Sequence, residues 1–189
     1  MTAEAEKRIL REEMLAERRA LLPAARAEMT RALTEAVLSF PPFQKARKIL
    51  AYLALPGEAD LDDVIRAALT EGKEIYIPVC LSGFRMEAGR LTDMTHFAKG
   101  PYGLRDLPKG YETISPEDLD LVLVPAVAVD GDGHRLGHGA GYYDRFLTSV
   151  SEKKRIAVVW DFQFRDSVPA DRFDLPMGGI ITEKRSIVF

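Results

Sequence analysis

The strongest constraint on this chain is an apolar run that ends in glycines. LDLVLVPAVAV (Leu119–Val129) is apolar almost throughout, as expected of a strand buried on both faces. It passes through a polar turn, DGDGH, into RLGHGAGYYDRFL (Arg135–Leu147). There Gly137, Gly139 and Gly141 alternate with His138 and Ala140, and a helix-like segment follows. A backbone stripped of side chains approaches an anion closely, and free N–H groups before a helix offer it hydrogen bonds. Arg135 adds a fixed cation before the glycines, and Asp144 adds a metal-ligand candidate after them. The grouping points to a polyphosphate site.

The remaining patterns supply the partners of that strand. Residues 3–22 carry Ile9, Leu10, Met14, Leu15 and Leu21 at helical spacing and predict an amphipathic helix ending near Pro23. A second helix is predicted over 24–39, stopping before Pro41-Pro42. KILAYLAL (48–55) and EIYIPV (74–79) read as strands, with a helix over 60–71 between them that Gly72 closes. Residues 84–94 fit either a hairpin-type pair or an irregular strand. Residues 97–116 read as loop. A helix over 141–150, a buried strand over 155–160 and a short last strand over 178–183 complete the reading. Strands alternating with helices give an α/β sandwich with a mainly parallel sheet, in one domain spanning 1–189.

Composition excludes several classes. A net charge of −3 gives no general footprint for nucleic acid or an anionic membrane. No apolar run approaches the ~20 residues of a membrane span, and the charged N-terminus lacks a secretory core. Cys80 is the only cysteine, so an internal disulfide and a cysteine-based zinc site are out, and a reducing cytoplasm is the simplest setting. In YIPVCL, Cys80 reads as a packed core thiol. His96 and His134 show no metal spacing.

The glycine loop is not a Walker loop, since no Lys-Ser or Lys-Thr follows it, and Tyr142 breaks G-x-G-x-x-G. A tight turn that needs positive φ accounts for such glycines about as well as anion binding does. Arg135, the Tyr142-Tyr143 pair and Asp144-Arg145 tilt the reading toward a ligand. In that reading the N–H groups of 137–141 hold phosphate oxygens, Arg135 and Arg145 neutralise charge, and Asp144 holds magnesium. The competing roles are a helix N-terminal charge for Asp144 and a surface or ion-pair residue for Arg145.

RLGHGAGYYDRFL, preceded by LDLVLVPAVAVDGDGH, resembles the signature of the 5-formyltetrahydrofolate cyclo-ligase family. Lys7-Arg8-Ile9-Leu10-Arg11 resembles the family's basic N-terminal motif, and AYLALPGEADLDDVI its folate-side segment. IYIPVC and QFRDSVPADRFDLPMGGIITE are similar to its later motifs. The resemblance covers nearly the whole chain. It implies a three-layer α/β/α sandwich with a mainly parallel sheet, a scaffold like that of sugar-phosphate isomerases and acyl-CoA transferases. It also implies ATP- and Mg2+-dependent conversion of 5-formyltetrahydrofolate to 5,10-methenyltetrahydrofolate, ADP and phosphate.

Residue by residue, the resemblance places ATP on Lys7, Arg8, Arg11 and the run Arg135, Leu136, Gly137, His138, Gly139, Ala140, Gly141, Tyr142 and Tyr143. It places folate on Leu53, Glu58, Tyr102 and residues 138–142. Asp144 and Asp174 become the magnesium carboxylates, with Arg135, Tyr142 and Asp144 as the catalytic group. Taken alone, the cations of the first helix read as solvated, Asp174 as a turn residue, Glu58 as a helix-start acid, His138 as a solvent-facing loop residue, and Trp160 as core. Ala140, His138 and the segment 103–108 depart from the usual pattern. A monomer that binds only small molecules is expected. Two other readings remain: a binding module that has lost catalysis, and an isomerase or transferase relative with no use for ATP.

Overall fold

The computed structural model describes residues 2–100, 105–171 and 174–189. The N-terminal half runs α1 (Ala3–Ala20), α2 (Pro23–Ser39), α3 (Pro41–Lys45), β1 (Lys48–Leu50), α4 (Asp62–Thr70), β2 (Glu74–Leu81) and β3 (Arg85–Leu91). Then come β4 (Ala98–Lys99), β5 (Arg105–Asp106), β6 (Thr113–Ile114), β7 (Leu121–Pro125), β8 (Ala128–Asp130) and β9 (Arg135–Leu136). The chain ends with α5 (Tyr142–Phe146), β10 (Arg155–Val158), β11 (Phe164–Arg165), β12 (Gly179–Ile181) and β13 (Ser186–Val188).

Eight strands form the central sheet in the order β13-β12-β10-β7-β1-β2-β3-β6. The inner five, β12 to β2, are parallel, and the flanking strands are antiparallel. Alternation along the strands splits the core in two. Ile49, Ile75, Ile77, Leu121, Leu123, Ile156 and Val158 face one way, onto Leu33, Val37, Phe43, Val64 and Ile65 of α2, α3 and α4. Leu50, Tyr76, Val122, Val124, Ala157 and Ile180 face the other way, onto Phe146 of α5 and Leu147 and Val150 just beyond it. The three-layer arrangement follows from that split. Trp160 is fully buried core, as expected.

Several boundaries differ from the sequence reading. The Pro41-Pro42 pair stops α2 and also opens α3, because proline suits the first positions of a helix. The expected strand 48–55 pairs only over 48–50. The apolar run 119–129 is two strands in two sheets: β7 leaves the central sheet at Pro125, and β8 joins β11 and β9 in a three-stranded sheet. In the break, the carbonyl of Ala126 accepts from Arg18 Nη2 and Gln163 Nε2, and that of Val127 from Gln163 Nε2 at 2.7 Å. Buried side-chain donors thus replace ladder partners that an unbroken strand would have had. Residues 85–91 form a single strand paired with β2, and the stretch read as loop carries the short β4, β5 and β6. Edge strand β13 is only three residues long, too short to announce itself by alternation.

Cys80 is exposed, contrary to the core placement. It lies near the carboxyl end of β2, where the alternation of a half-covered strand turns it outward. No helix among the described residues is long and apolar enough to cross a membrane.

Candidate active site

Helix α1 is capped by Thr2, whose hydroxyl accepts from the Ala5 N–H. Helical spacing then puts Lys7, Met14 and Arg18 on its buried face, with Arg11 between them. Met14 packs with Val127, Ala128 and Leu136, so α1 lies along the small sheet. Lys7 Nζ donates to Asp171 Oδ2 at 2.8 Å and to Asp174 Oδ2 at 2.5 Å. Burial alone would lower the Lys7 ammonium, but its hydrogen bonds to the two carboxylates outweigh burial and hold it above its ordinary value. Arg8 is on the other side of the helix, exposed, and donates to Glu12.

The glycine loop follows β9. Gly139 and Gly141 have φ of 99° and 71°, so both use the left-handed region open to glycine. Each glycine lies against a guanidinium. A Cβ at Gly137 would stand 2.9 Å from Arg135 Nη1, one at Gly139 3.6 Å from Arg11 Cζ, and one at Gly141 2.8 Å from Arg145 Nη1. Arg11 Nε donates to the Gly137 carbonyl at 3.0 Å, and Arg145 Nη1 to that of Ala140 at 3.1 Å. Arg135, itself buried, donates to the Pro125 carbonyl at the end of β7 and to Asp144 Oδ1 at 2.7 Å. The loop therefore sits at the carboxyl edge of the parallel strands, where α/β proteins place ligands. Leu136 contributes backbone only, since its side chain is buried with Met14.

The helix expected over 141–150 has α-helical geometry for five residues only, before a tighter turn over Leu147–Ser149. So short a helix has little macrodipole, and positive charge at the loop comes from guanidinium groups. Tyr142 tilts against Phe84, with ring centroids 5.9 Å apart. The Tyr143 hydroxyl is buried without a partner among the described atoms. Burial first, and the nearby Glu58 carboxylate next, push its pKa up, against the pull of Arg135. An orphaned donor of this kind fits a site that completes its hydrogen bonds on a ligand.

Glu58 is buried and does not cap α4, whose N-cap is Leu61. It closes a turn after β1, with Oε2 accepting from the Leu55 N–H at 2.9 Å. Its Oε1 meets His138 Nε2 at 2.9 Å and lies 3.8 Å from Arg18 Nη1. Leu53 is partly buried in the same segment. The segment after β1 and the glycine loop, far apart in sequence, are thus hydrogen-bonded to each other. Tyr102 falls outside the described residues.

Asp144 is paired with Arg135, and Asp174 with Lys7 and with the Asp171 N–H. Arg135 takes Oδ1 of Asp144 and Lys7 takes Oδ2 of Asp174, so each carboxylate keeps an oxygen outside its ion pair. These are the hard donors magnesium prefers. Asp130, Asp132 and His134 also gather within 4.8 Å. Asp130 spends its oxygens on the N–H groups of Asp132, His134 and Val168 and on the His134 ring, which makes it the pin of a turn. A groove of about 650 Å³ beside α2, lined by Arg26, Arg31, Asp60 and Asp63, includes no residue of the glycine loop.

Sequence reasoning missed Arg18, Asp171 and the His138–Glu58 contact. Arg18 alone had a signal, its place on the helical stripe of Lys7, Arg11 and Met14.

The fold and this site together define an α/β protein in which a cationic glycine loop meets a buried carboxylate at the edge of a mainly parallel sheet. The family model described as "5-formyltetrahydrofolate cyclo-ligase family" matches residues 3–183. A Mycolicibacterium smegmatis protein named 5-formyltetrahydrofolate cyclo-ligase is 34% identical over 151 residues, covering 75% of this chain and 76% of its own. One of the same name from Escherichia coli is 28% identical over 176 residues, covering 89% and 95%. The solved structure of Aquifex aeolicus 5,10-methenyltetrahydrofolate synthetase superposes with a TM-score of 0.85 at 33% identity, covering 96% of this chain and 92% of that one. The chain belongs to the 5-formyltetrahydrofolate cyclo-ligase family. It is an enzyme of folate metabolism that converts 5-formyltetrahydrofolate to 5,10-methenyltetrahydrofolate.

Proposed function

We propose that the conversion consumes ATP at the glycine loop and uses magnesium. The observation that carries this reading is the set of three guanidinium groups, Arg11, Arg135 and Arg145, each set against one glycine of an otherwise bare loop. In a chain of net charge −3, that local excess of cation suits a polyphosphate.

An N-formyl oxygen is a poor leaving group. In the proposed chemistry it attacks the γ-phosphorus of ATP, a phosphorus–oxygen bond forms, and ADP departs. The second folate nitrogen then attacks the activated carbon and gives up its proton to solvent, the ring closes, and the carbon–oxygen bond breaks as phosphate leaves with the former formyl oxygen. The protein's work is positioning and charge neutralisation. Backbone N–H groups of 137–141 and the guanidinium of Arg135 hold phosphate oxygens, with Lys7 and Arg11 reaching them from α1. Glu58 accepts hydrogen bonds from pterin N–H groups, beside Leu53, and Tyr142 and Tyr143 offer ring faces. Asp144 and Asp174 would hold the magnesium ion, which when bound neutralises charge developing on the phosphates. Arg8, on the far side of α1, has no part in this scheme. The lone exposed cysteine fits a reducing cytoplasm, and we read the enzyme as a one-domain monomer.

The test is direct. Protein mixed with 5-formyltetrahydrofolate, ATP and magnesium forms the methenyl product, seen by its ultraviolet absorbance, with one ADP per turnover. Folded protein that forms product without consuming ATP, or forms none, overturns the reading.

A further inference from the structure

Arg18 is the most deeply buried cation near the site, 3% exposed. Its guanidinium is held from two sides. Nη2 donates to the Ala126 carbonyl, in the break between β7 and β8, and Nη1 lies 3.8 Å from Glu58 Oε1. The same Ala126 carbonyl accepts from Gln163 Nε2 at 2.9 Å, so the guanidinium is moored to a fixed point of the floor. Its Nε has no partner among the described atoms. Taking a cation out of water and leaving one of its donors unmatched is poor value as a stability device. What the arrangement does supply is a fixed positive charge beside a buried carboxylate, on the helix that also carries Lys7 and Arg11.

Of the groups around Glu58, the Leu55 N–H and the His138 ring fix where the carboxylate points. Arg18 supplies its one permanent countercharge among the described contacts. A carboxylate has about four acceptor positions. Leu55 and His138 use two, and the ion pair at 3.8 Å is too long to use a third as a hydrogen bond. Acceptor capacity therefore stays open for a donor edge. We propose that Arg18 is a positioning residue for the folate half of the reaction: anchored on Ala126, it holds Glu58 in place as a charged acceptor for the substrate. The inference rests on the assignment of Glu58 to folate. It adds a residue which acts through Glu58 and touches neither substrate.

The test is a cycle of Arg18→Met, which keeps an unbranched apolar stem and removes the charge, with Glu58→Gln. In the wild-type background Arg18→Met raises KM for 5-formyltetrahydrofolate about 10-fold and leaves KM for ATP within about two-fold. In the Glu58→Gln background it changes the folate KM by less than about two-fold, because the charge it serves is gone. Arg18→Lys, which keeps the charge, recovers part of the loss. The same series is read by calorimetric titration of 5-formyltetrahydrofolate, which needs no turnover. A folded Arg18→Met enzyme with an unchanged folate KM overturns the proposal, as does an effect that adds fully to Glu58→Gln or falls equally on ATP. If Arg18→Met does not fold, Arg18→Lys decides: a folate KM higher than wild type and lower than that of Glu58→Gln supports the role, and an unchanged one rejects it. Wild-type protein that binds the folate but turns over none refutes the functional reading and leaves this cycle readable by titration. Wild-type folate affinity unchanged by Glu58→Gln removes the premise that Glu58 serves folate, and the proposal falls with it.

Discussion

Arg135 Nη2 lies 2.7 Å from Asp144 Oδ1, so the first cation of the glycine loop is tied to the carboxylate that follows it. The pair spans the loop like a clasp. Arg135 is nearly buried, while the Asp144 side chain is 34% exposed and keeps Oδ2 out of the pair. A partly open carboxylate held by one oxygen is suited to exchange some of that pairing for another cation.

Asp144→Asn keeps the shape and removes the charge. Turnover is expected to fall about 100-fold or more, equivalent to roughly 2.7 kcal/mol of transition-state stabilisation. The fold stays intact, because the amide oxygen still accepts from Arg135, and the thermal unfolding midpoint falls only modestly with the loss of the ion pair. Activity within about two-fold of wild type in a steady-state assay rejects the metal role.

Arg135→Ala removes a guanidinium from the loop floor and releases Asp144. The apparent KM for ATP rises, by about 10-fold or more, while that for 5-formyltetrahydrofolate moves less. Initial rates against each substrate in turn separate the two, and an unchanged ATP dependence rejects the contact.

What was legible in the sequence was local. The glycine loop, Arg135 and Asp144 lie within ten residues, so their chemistry reads from a single window. Glu58 and His138 meet across 80 residues of chain, and Arg18 reaches Ala126 across 108; those contacts depend on how β1 and β7 pair and on where α1 lies. The split of 119–129 was hidden for another reason. Both strands are buried, so apolar character runs on unbroken, while the hydrogen-bond partners change from the central sheet to the small one. Cys80 misled because an apolar neighbourhood in sequence does not say which side of a strand end is covered.

Gly139→Ala tests the loop without touching charge. At φ of 99° any Cβ strains the backbone, by roughly 1–2 kcal/mol, and here it also stands 3.6 Å from the Arg11 guanidinium carbon. ATP affinity is expected to fall more than folate affinity. Equal affinities for ATP in the variant and wild type, by titration, would remove the loop from the nucleotide site.

Asp161 is the place to look for acid sensitivity. Burial pushes its pKa up, but the Arg185 guanidinium and the Thr182 hydroxyl outweigh that and hold it below the ordinary carboxylate value. A group depressed on folding gives up protons more readily in the folded state, so its stabilisation is present above the ordinary value near 3.8 and is lost as pH falls through the depressed folded value. The wild-type unfolding midpoint is therefore expected to fall below about pH 4 more steeply than that of Asp161→Asn, which has already lost the charge. Asp161 anchors the turn between β12 and β13 through Thr182 and Arg185 and lies outside the glycine loop, so at neutral pH the variant loses stability and keeps both KM values. Parallel pH curves for the two proteins would show that the ion pair carries none of the acid response.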